Sequence, residues 1–282
     1  AMIHAKAPSA TVKVGDEAAF SATVTGAYAG ASGSKSAENI TLFVSDPSET
    51  ETLSQPTHKT TATTDASGNL EYIFREPGYY TIAMFNVTPD DMTYKSVYGE
   101  VTIGEYYSLY AGDYAIVHVT KAADINALIT KYRSENLAAA KAYYERFHDY
   151  DFTTADYRTF TSAYNALKSN QTSATTFKEL MDSFDADYAA LQAAGANALD
   201  HVAIIAALRK DMSYLPDDLT TLTASDKDFV VELQTAYAAL NAYQKSLLTA
   251  NERATLEALA KINANELPAV ATVNLRERNV PA

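Results

Sequence analysis

The stretch "YAIVHVTKAADINALITKY", from Tyr114 to Tyr132, changes its periodicity halfway along. Up to Thr120 it alternates, with His118 between Val117 and Val119, which is the period of a strand. From Ala122 the apolar residues recur at helical spacing. Ile125, Leu128, Ile129 and Tyr132 fall on one face of a helix. A chain of 282 residues is long enough for two or three domains. This stretch predicts where a β part ends and an α part begins.

Toward the N-terminus the β reading continues. Thr, Val and Tyr are frequent, and period-two runs occur at 11–14, 18–25, 39–45, 59–64, 70–75, 79–87 and 97–103. Turn residues separate them. Gly15-Asp16 splits the first two, and "DASGN" (Asp65 to Asn69) and Pro77-Gly78 bracket the run at 70–75. Short strands at this spacing predict an antiparallel β-sandwich over residues 1–121. The small, polar stretch from Gly26 to Asn39 reads as a mobile loop.

Toward the C-terminus the helical period holds. Leu137, Tyr144 and Phe147 extend the first stripe. Thr153 to Asp156 reads as a cap, followed by a stripe of Tyr157, Phe160, Tyr164 and Leu167. A polar break at 170–175 precedes the stripe Phe177, Leu180, Met181, Phe184, Tyr188 and Leu191, with Gly195 as a helix stop. These predict a small antiparallel three-helix bundle over 122–196. A second one follows over 197–265. Its signals are Val202, Ile205, Leu208 and Met212, the stop at Pro216, the cap at Thr223 to Asp226, and the stripe Phe229, Val230, Leu233, Tyr237 and Leu240. "TANE" (Thr249 to Glu252) has the capping-box pattern ahead of Leu256, Leu259 and Ile262. Tyr237 and Leu240 are expected in the core, with Gln244 and Lys245 on the polar side. Residues 266–282 lose periodicity and read as a tail or linker. The fold class is therefore multi-domain β plus α, with separate cores meeting near Thr120 to Asp124.

Three stretches resemble known families. Ile204 to Leu208, Leu215-Pro216, Leu222 to Asp226, Tyr237 to Leu240, Gln244-Lys245 and Leu247-Leu248 together resemble helical modules repeated in Gram-positive surface proteins and multimodular glycosidases. "DFTTADYRTFTSAYNAL" (Asp151 to Leu167), the break at 169–176 and "FKELMDSFDADYAAL" (Phe177 to Leu191) look like the FIVAR family, where an aromatic, often Trp, sits at the place of Tyr157. "VKVGDEAAFSATVT" (Val12 to Thr25), "TTDASGNLEYIF" (Thr63 to Phe74) and "EPGYYTIAM" (Glu76 to Met84) are similar to bacterial Ig-like (Big) domains. The resemblance implies secretion and a place at the cell surface, in modules that act as spacers, stalks or adhesive units.

Composition excludes several functions. The net charge of −13 repels nucleic acid and anionic membrane surfaces. No Cys means no thiolate catalysis, no thiolate metal site and no disulfide. No run approaches the roughly 18 apolar residues of a membrane span. Glu266 to Val270 contains a Leu-Pro pair without the sortase pattern, so an anchor, for an attached parent protein, is expected outside this chain. His4, His58, His118, His148 and His201 complete no zinc motif on a helix, and phosphate loops, dinucleotide fingerprints and nucleophile elbows are missing from the sequence. The acid groups Asp46/Glu49/Glu51, Asp90/Asp91 and Asp217/Asp218 lack the spacing of a calcium loop and read as solvated acids.

These readings set the expected function. The chain is expected to be a non-catalytic, monomeric segment of an extracellular or cell-wall-attached bacterial protein, a spacer and presentation module. It is expected to use no cofactor, no metal and no catalytic residue. One alternative is an adhesin module that binds host or cell-wall glycan or protein. Its surface would be the tyrosine cluster Tyr94, Tyr98, Tyr106, Tyr107 and Tyr110, since Tyr gives amphipathic contact area at low entropy cost. The other alternative is an accessory region of a secreted carbohydrate-active enzyme.

Overall fold

The computed structural model describes residues 2–25, 34–85, 93–96, 99–102 and 114–271. Strands are numbered along the chain. One antiparallel sheet contains β1 (Met2–Lys6), β3 (Glu17–Thr25), β4 (Ser34–Ser36) and β7 (Asn69–Ile73). A second has the order β2-β11-β8-β5-β6, made of β2 (Val12–Lys13), β11 (Ala115–Thr120), β8 (Gly78–Phe85), β5 (Thr41–Val44) and β6 (His58–Thr63). A separate hairpin pairs β9 (Thr93–Ser96) with β10 (Gly99–Thr102). The fold class is thus mixed β plus α, with one antiparallel sheet and one mixed sheet.

The mixed sheet departs from the all-antiparallel expectation, because β2 runs parallel to β11. Some hundred residues separate the two strands in sequence, so no hairpin dictates their direction. The centre of this sheet is β8, "GYYTIAMF", which is buried from Tyr80 onward on both faces. A strand covered on both sides needs a continuous apolar run rather than alternation. The edge strand β6 is largely exposed and carries Lys59, a charge that discourages further pairing. Three strands, β1, β4 and β9, were not expected. Ser34–Ser36 lies inside the stretch read as a loop and pairs with Thr23 to Thr25.

Seven helices follow among the described residues: α1 (Ile125–Tyr144), α2 (Thr154–Ser173), α3 (Phe177–Gly195), α4 (His201–Met212), α5 (Lys227–Ala239), α6 (Ala242–Ser246) and α7 (Ala250–Ala260). The chain forms two compact units that do not follow the linear segments. One holds Ala1–Ala139 with Leu167–Ala186, the other Ala140–Ala166 with Asp187–Ala282.

In the first unit a single buried cluster takes residues from both sheets and from helices. Phe20, Leu70 and Phe74 meet Leu42, Ile82, Met84, Val117 and Val119, and Ile129, Ala174, Phe177 and Leu180 belong to the same cluster. The β core therefore does not close at Thr120. The stripe that marks α1 as a helix needs an apolar partner, and the sheets supply it. Gly15 allows the approach. It has φ of 87°, and a Cβ there would lie 2.5 Å from Leu128 Cδ2. The corner between α2 and α3, expected as a polar break, contains the fully buried Gln171. Gln171 accepts from Asn136 Nδ2 at 3.0 Å and donates to the Leu180 carbonyl at 2.9 Å. Arg133 caps the end of α2 by donating to the carbonyls of Gln171 and Ala174, each at 2.8 Å. Gln171 and Ala174 are the buried positions of this corner, and the polar residues around them, Asn170, Thr172, Ser173, Thr175 and Thr176, are exposed.

The second unit has two packed regions. Stacked aromatics join α1, α2 and the turn between them. Tyr144 stacks on Tyr164 with centroids 4.1 Å apart, and the buried Phe160 sits among Tyr144, Phe147 and Phe152. The other region gathers Ile205, Leu208, Leu222, Val230, Leu233, Tyr237, Leu240, Leu248, Leu256 and Leu259 into one cluster. Caps fall where the sequence placed them. Thr153 accepts from Asp156 N, Thr223 and Asp226 form a reciprocal box, and Thr249 accepts from Glu252 N. The packed chain continues past residue 265, since Leu267 packs on the cluster and the Pro268 carbonyl accepts from Ala224 N at 2.8 Å.

Candidate functional site

Of the tyrosines expected to form a recognition surface, Tyr94 lies in β9 and Tyr98, Tyr106, Tyr107 and Tyr110 lie outside the described residues. The neighbouring pair Tyr79-Tyr80 shows the alternation a strand imposes. Tyr80 is buried, and its hydroxyl donates to the Glu76 carbonyl at 2.8 Å. Tyr79 points to the other face. It opposes His118 in the β8–β11 register and stacks on that imidazole with centroids 4.2 Å apart and planes 5° from parallel. His118 is exposed, and the pair borders a shallow cleft that also includes Glu49 and Lys121.

The most connected polar cluster is in the second unit, and sequence spacing did not reveal it. The turn Asp149–Asp151 follows α1, and Asp151 Oδ2 accepts from His148 N at 2.8 Å. His201 opens α4, whose N-cap is Asp200. Its Nε2 meets Asp151 Oδ1 at 2.9 Å, and its Nδ1 meets Gln244 Nε2 at 3.1 Å. The amide orientation of Gln244 follows from its other bond, since Gln244 Oε1 accepts from Asn241 N at 2.9 Å. Gln244 Nε2 therefore donates, Nδ1 of His201 accepts, and the ring proton sits on Nε2 facing Asp151. Asn241 completes the network by donating from Nδ2 to the Tyr150 carbonyl at 2.9 Å, while Tyr150 and Tyr243 stack at 4.2 Å.

This arrangement limits the chemistry. Burial raises the pKa of Asp151, but the hydrogen bonds from His148 N and His201 outweigh that, and the net shift is downward. Asp151 is thus held as the carboxylate, facing the N–H of His201. A general base needs a nitrogen lone pair free to face a substrate. Here one ring nitrogen donates to Asp151 and the other accepts from Gln244. Gln244 itself is 3% exposed, not on the polar side as expected. The missed signal was Asn241 with Gln three residues later, the pattern of a capping box, and both of its hydrogen bonds form.

The acid groups read as solvated loops are partly engaged. Asp46 pairs with His58 at 2.7 Å, Asp218 accepts from Thr220 N and its hydroxyl, and Asp90 and Asp91 lie outside the described residues. Among the described residues no group of three or more His, Asp or Glu is placed to hold a metal ion. Nor is any helix among them long and apolar enough to cross a membrane. Comparison with protein-family models, curated proteins and solved structures returned no match.

Proposed function

We propose that this chain is a non-catalytic segment of a secreted, cell-surface bacterial protein, a monomeric module that spaces and presents its neighbours. In this reading the two sheets form an Ig-like sandwich, supported by the inward residues they share in one cluster. The helices form two three-helix modules, supported by the stripes and caps described above. The observation that carries the reading is the His201 network. The imidazole of His201 is fixed between Asp151 and Gln244, where it joins three elements and has no ring nitrogen left for a substrate. A broad screen of chromogenic glycosides, peptides and esters is the test. The expected result is no turnover above background. Turnover that His201→Asn removes, in a variant that still melts cooperatively, would overturn it. Surface labelling of intact cells that carry the parent gene tests the location.

A second reading, an adhesin module for glycan or protein, is favoured by the stacked Tyr79–His118 pair beside its cleft. Flat aromatic faces suit sugar rings. Glycan-array binding that Tyr79→Ala abolishes would establish this reading in place of a pure spacer. An accessory role beside a carbohydrate-active domain is a third reading, decided by the length of the parent gene.

A further inference from the structure

A second cavity shares Lys121 with the cleft beside Tyr79 but has a different apolar floor. It lies wholly within the first unit and holds about 520 Å³, a size that takes small organic ligands. Its floor is formed by Val14, Ile129 and Phe177. All three are buried members of the core cluster. Its rim carries three cations, Arg75, Lys121 and Lys178, and one acid, Glu76.

The cations are not equivalent. Arg75 forks onto Asp182 at 2.6 Å and Asp185 at 2.5 Å. Lys178 pairs with Asp182 as well. Lys121 has no ion-pair partner among the described residues. It is exposed, at the point where β11 gives way to α1. Among the described residues Lys121 is thus the one cation of this rim without an ion pair, and Glu76 on the rim and Glu49 in the neighbouring cleft are the acids that share its surroundings.

We infer that this cavity binds a small amphipathic monoanion, with its apolar body on Val14, Ile129 and Phe177 and its acid group at Lys121. A neutral ligand leaves Lys121 without a partner. A dianion finds its second charge facing cations already neutralised by Asp182 and Asp185, with Glu76 alongside. One negative charge on an apolar body fits the set.

The probe is anilinonaphthalene sulfonate, followed by fluorescence and calorimetry on the intact chain. Phenylnaphthylamine, which keeps the rings and lacks the sulfonate, is the comparison. The sulfonate is expected to bind one to one, roughly fivefold more tightly than the neutral analogue, the effect of one partly screened charge pair. Lys121→Ala should bring the sulfonate down to the neutral level and leave the neutral analogue unchanged. Ala122→Trp, which fills the cavity from its wall, should remove binding of both. Should that variant lose its cooperative melt, Asn126→Trp on the exposed rim serves the same purpose. Equal binding of the two probes overturns the inference. So does sulfonate binding that survives either Lys121→Ala or a folded tryptophan variant.

Discussion

Lys245 and Gln244 are neighbours with opposite fates. Lys245 keeps its ammonium 4.7 Å from the centre of the Tyr237 ring, at a half-buried position. Such a cation–π contact contributes about 0.5–1 kcal/mol at a wet site. Gln244 is buried, with both ends of its amide engaged. Truncating it leaves Asn241 N and His201 Nδ1 without these partners. Gln244→Ala is therefore expected to cost about 1–3 kcal/mol. Lys245→Ala should cost under about 1 kcal/mol, and Leu240→Ala, a buried truncation, about 2–5 kcal/mol. Urea unfolding of the three variants checks the order, and a Lys245 variant worse than Gln244→Ala would contradict it. The burial of Tyr237 and Leu240 was legible because both continue a stripe that starts at Phe229. The burial of Gln244 was not legible from the stripe. It depends on His201 and Asp151, and on a tertiary meeting that periodicity does not encode.

Elements are tied together by charged side chains whose pairing sets the response to acid. Burial raises the pKa of Asp182, yet the hydrogen bonds and charges of Lys178 and Arg75 bring it below the ordinary value. Asp151 is lowered against the same opposition, and Glu252 is lowered chiefly by Arg209, which donates to it at 2.9 Å. A carboxylate with a lowered pKa in the fold binds protons more readily in the unfolded chain. Its stabilisation is fully present above the unfolded value, about 3.9 for Asp. It is lost as pH falls through the folded one. Stability should thus hold near neutrality and decline below about pH 4. Asp182→Asn should flatten that decline, as read from urea midpoints against pH. Gly195 gives a steric counterpart. The sequence marks Gly195 as a helix stop, and α3 does end at Gly195, without a positive φ and against an aromatic ring. A Cβ there would lie 2.2 Å from Tyr143 Oη. Gly195→Ala should cost about 1–3 kcal/mol by overpacking. Tyr143→Phe in that background should recover part of the loss in a thermal melt, because the nearest clashing atom is gone. Most strands and helices were legible, through alternation, stripes, caps and turns. The short β1, β4 and β9 were not, because three to five residues carry too little periodicity, and pairing with a neighbour decides them.

The two compact units cut across the linear order, and neither ends at the expected boundary near Thr120 to Asp124. The sequence reading placed independent cores on either side of Thr120 to Asp124, because the hydrophobic period changes there. A change of period marks a change of element, not the edge of a core. The apolar cluster of the sheets includes Ile129, Ala174, Phe177 and Leu180, which lie beyond that boundary in sequence. A fragment of residues 1–121 lacks all four, and lacks Leu128, which lies against Gly15. Losing buried contacts of this kind costs a domain kilocalories it does not have in reserve, since total stabilities are only about 5–15 kcal/mol. That fragment should therefore show a broad melt and exposed apolar surface. A fragment of residues 197–271 is the contrasting case. It retains every member of the cluster built from Ile205 to Ala264, together with Leu267 and the Ala224–Pro268 backbone bond. It loses the Asp151 and Tyr150 partners of His201 and Asn241. It should melt cooperatively, at a lower temperature than in the intact chain. Circular dichroism melts of the two fragments and the whole chain decide the matter. A sharp transition for 1–121 would show that the sheets close a core without the helices. A missing transition for 197–271 would show that the polar network around His201 is needed for the last four helices to fold at all.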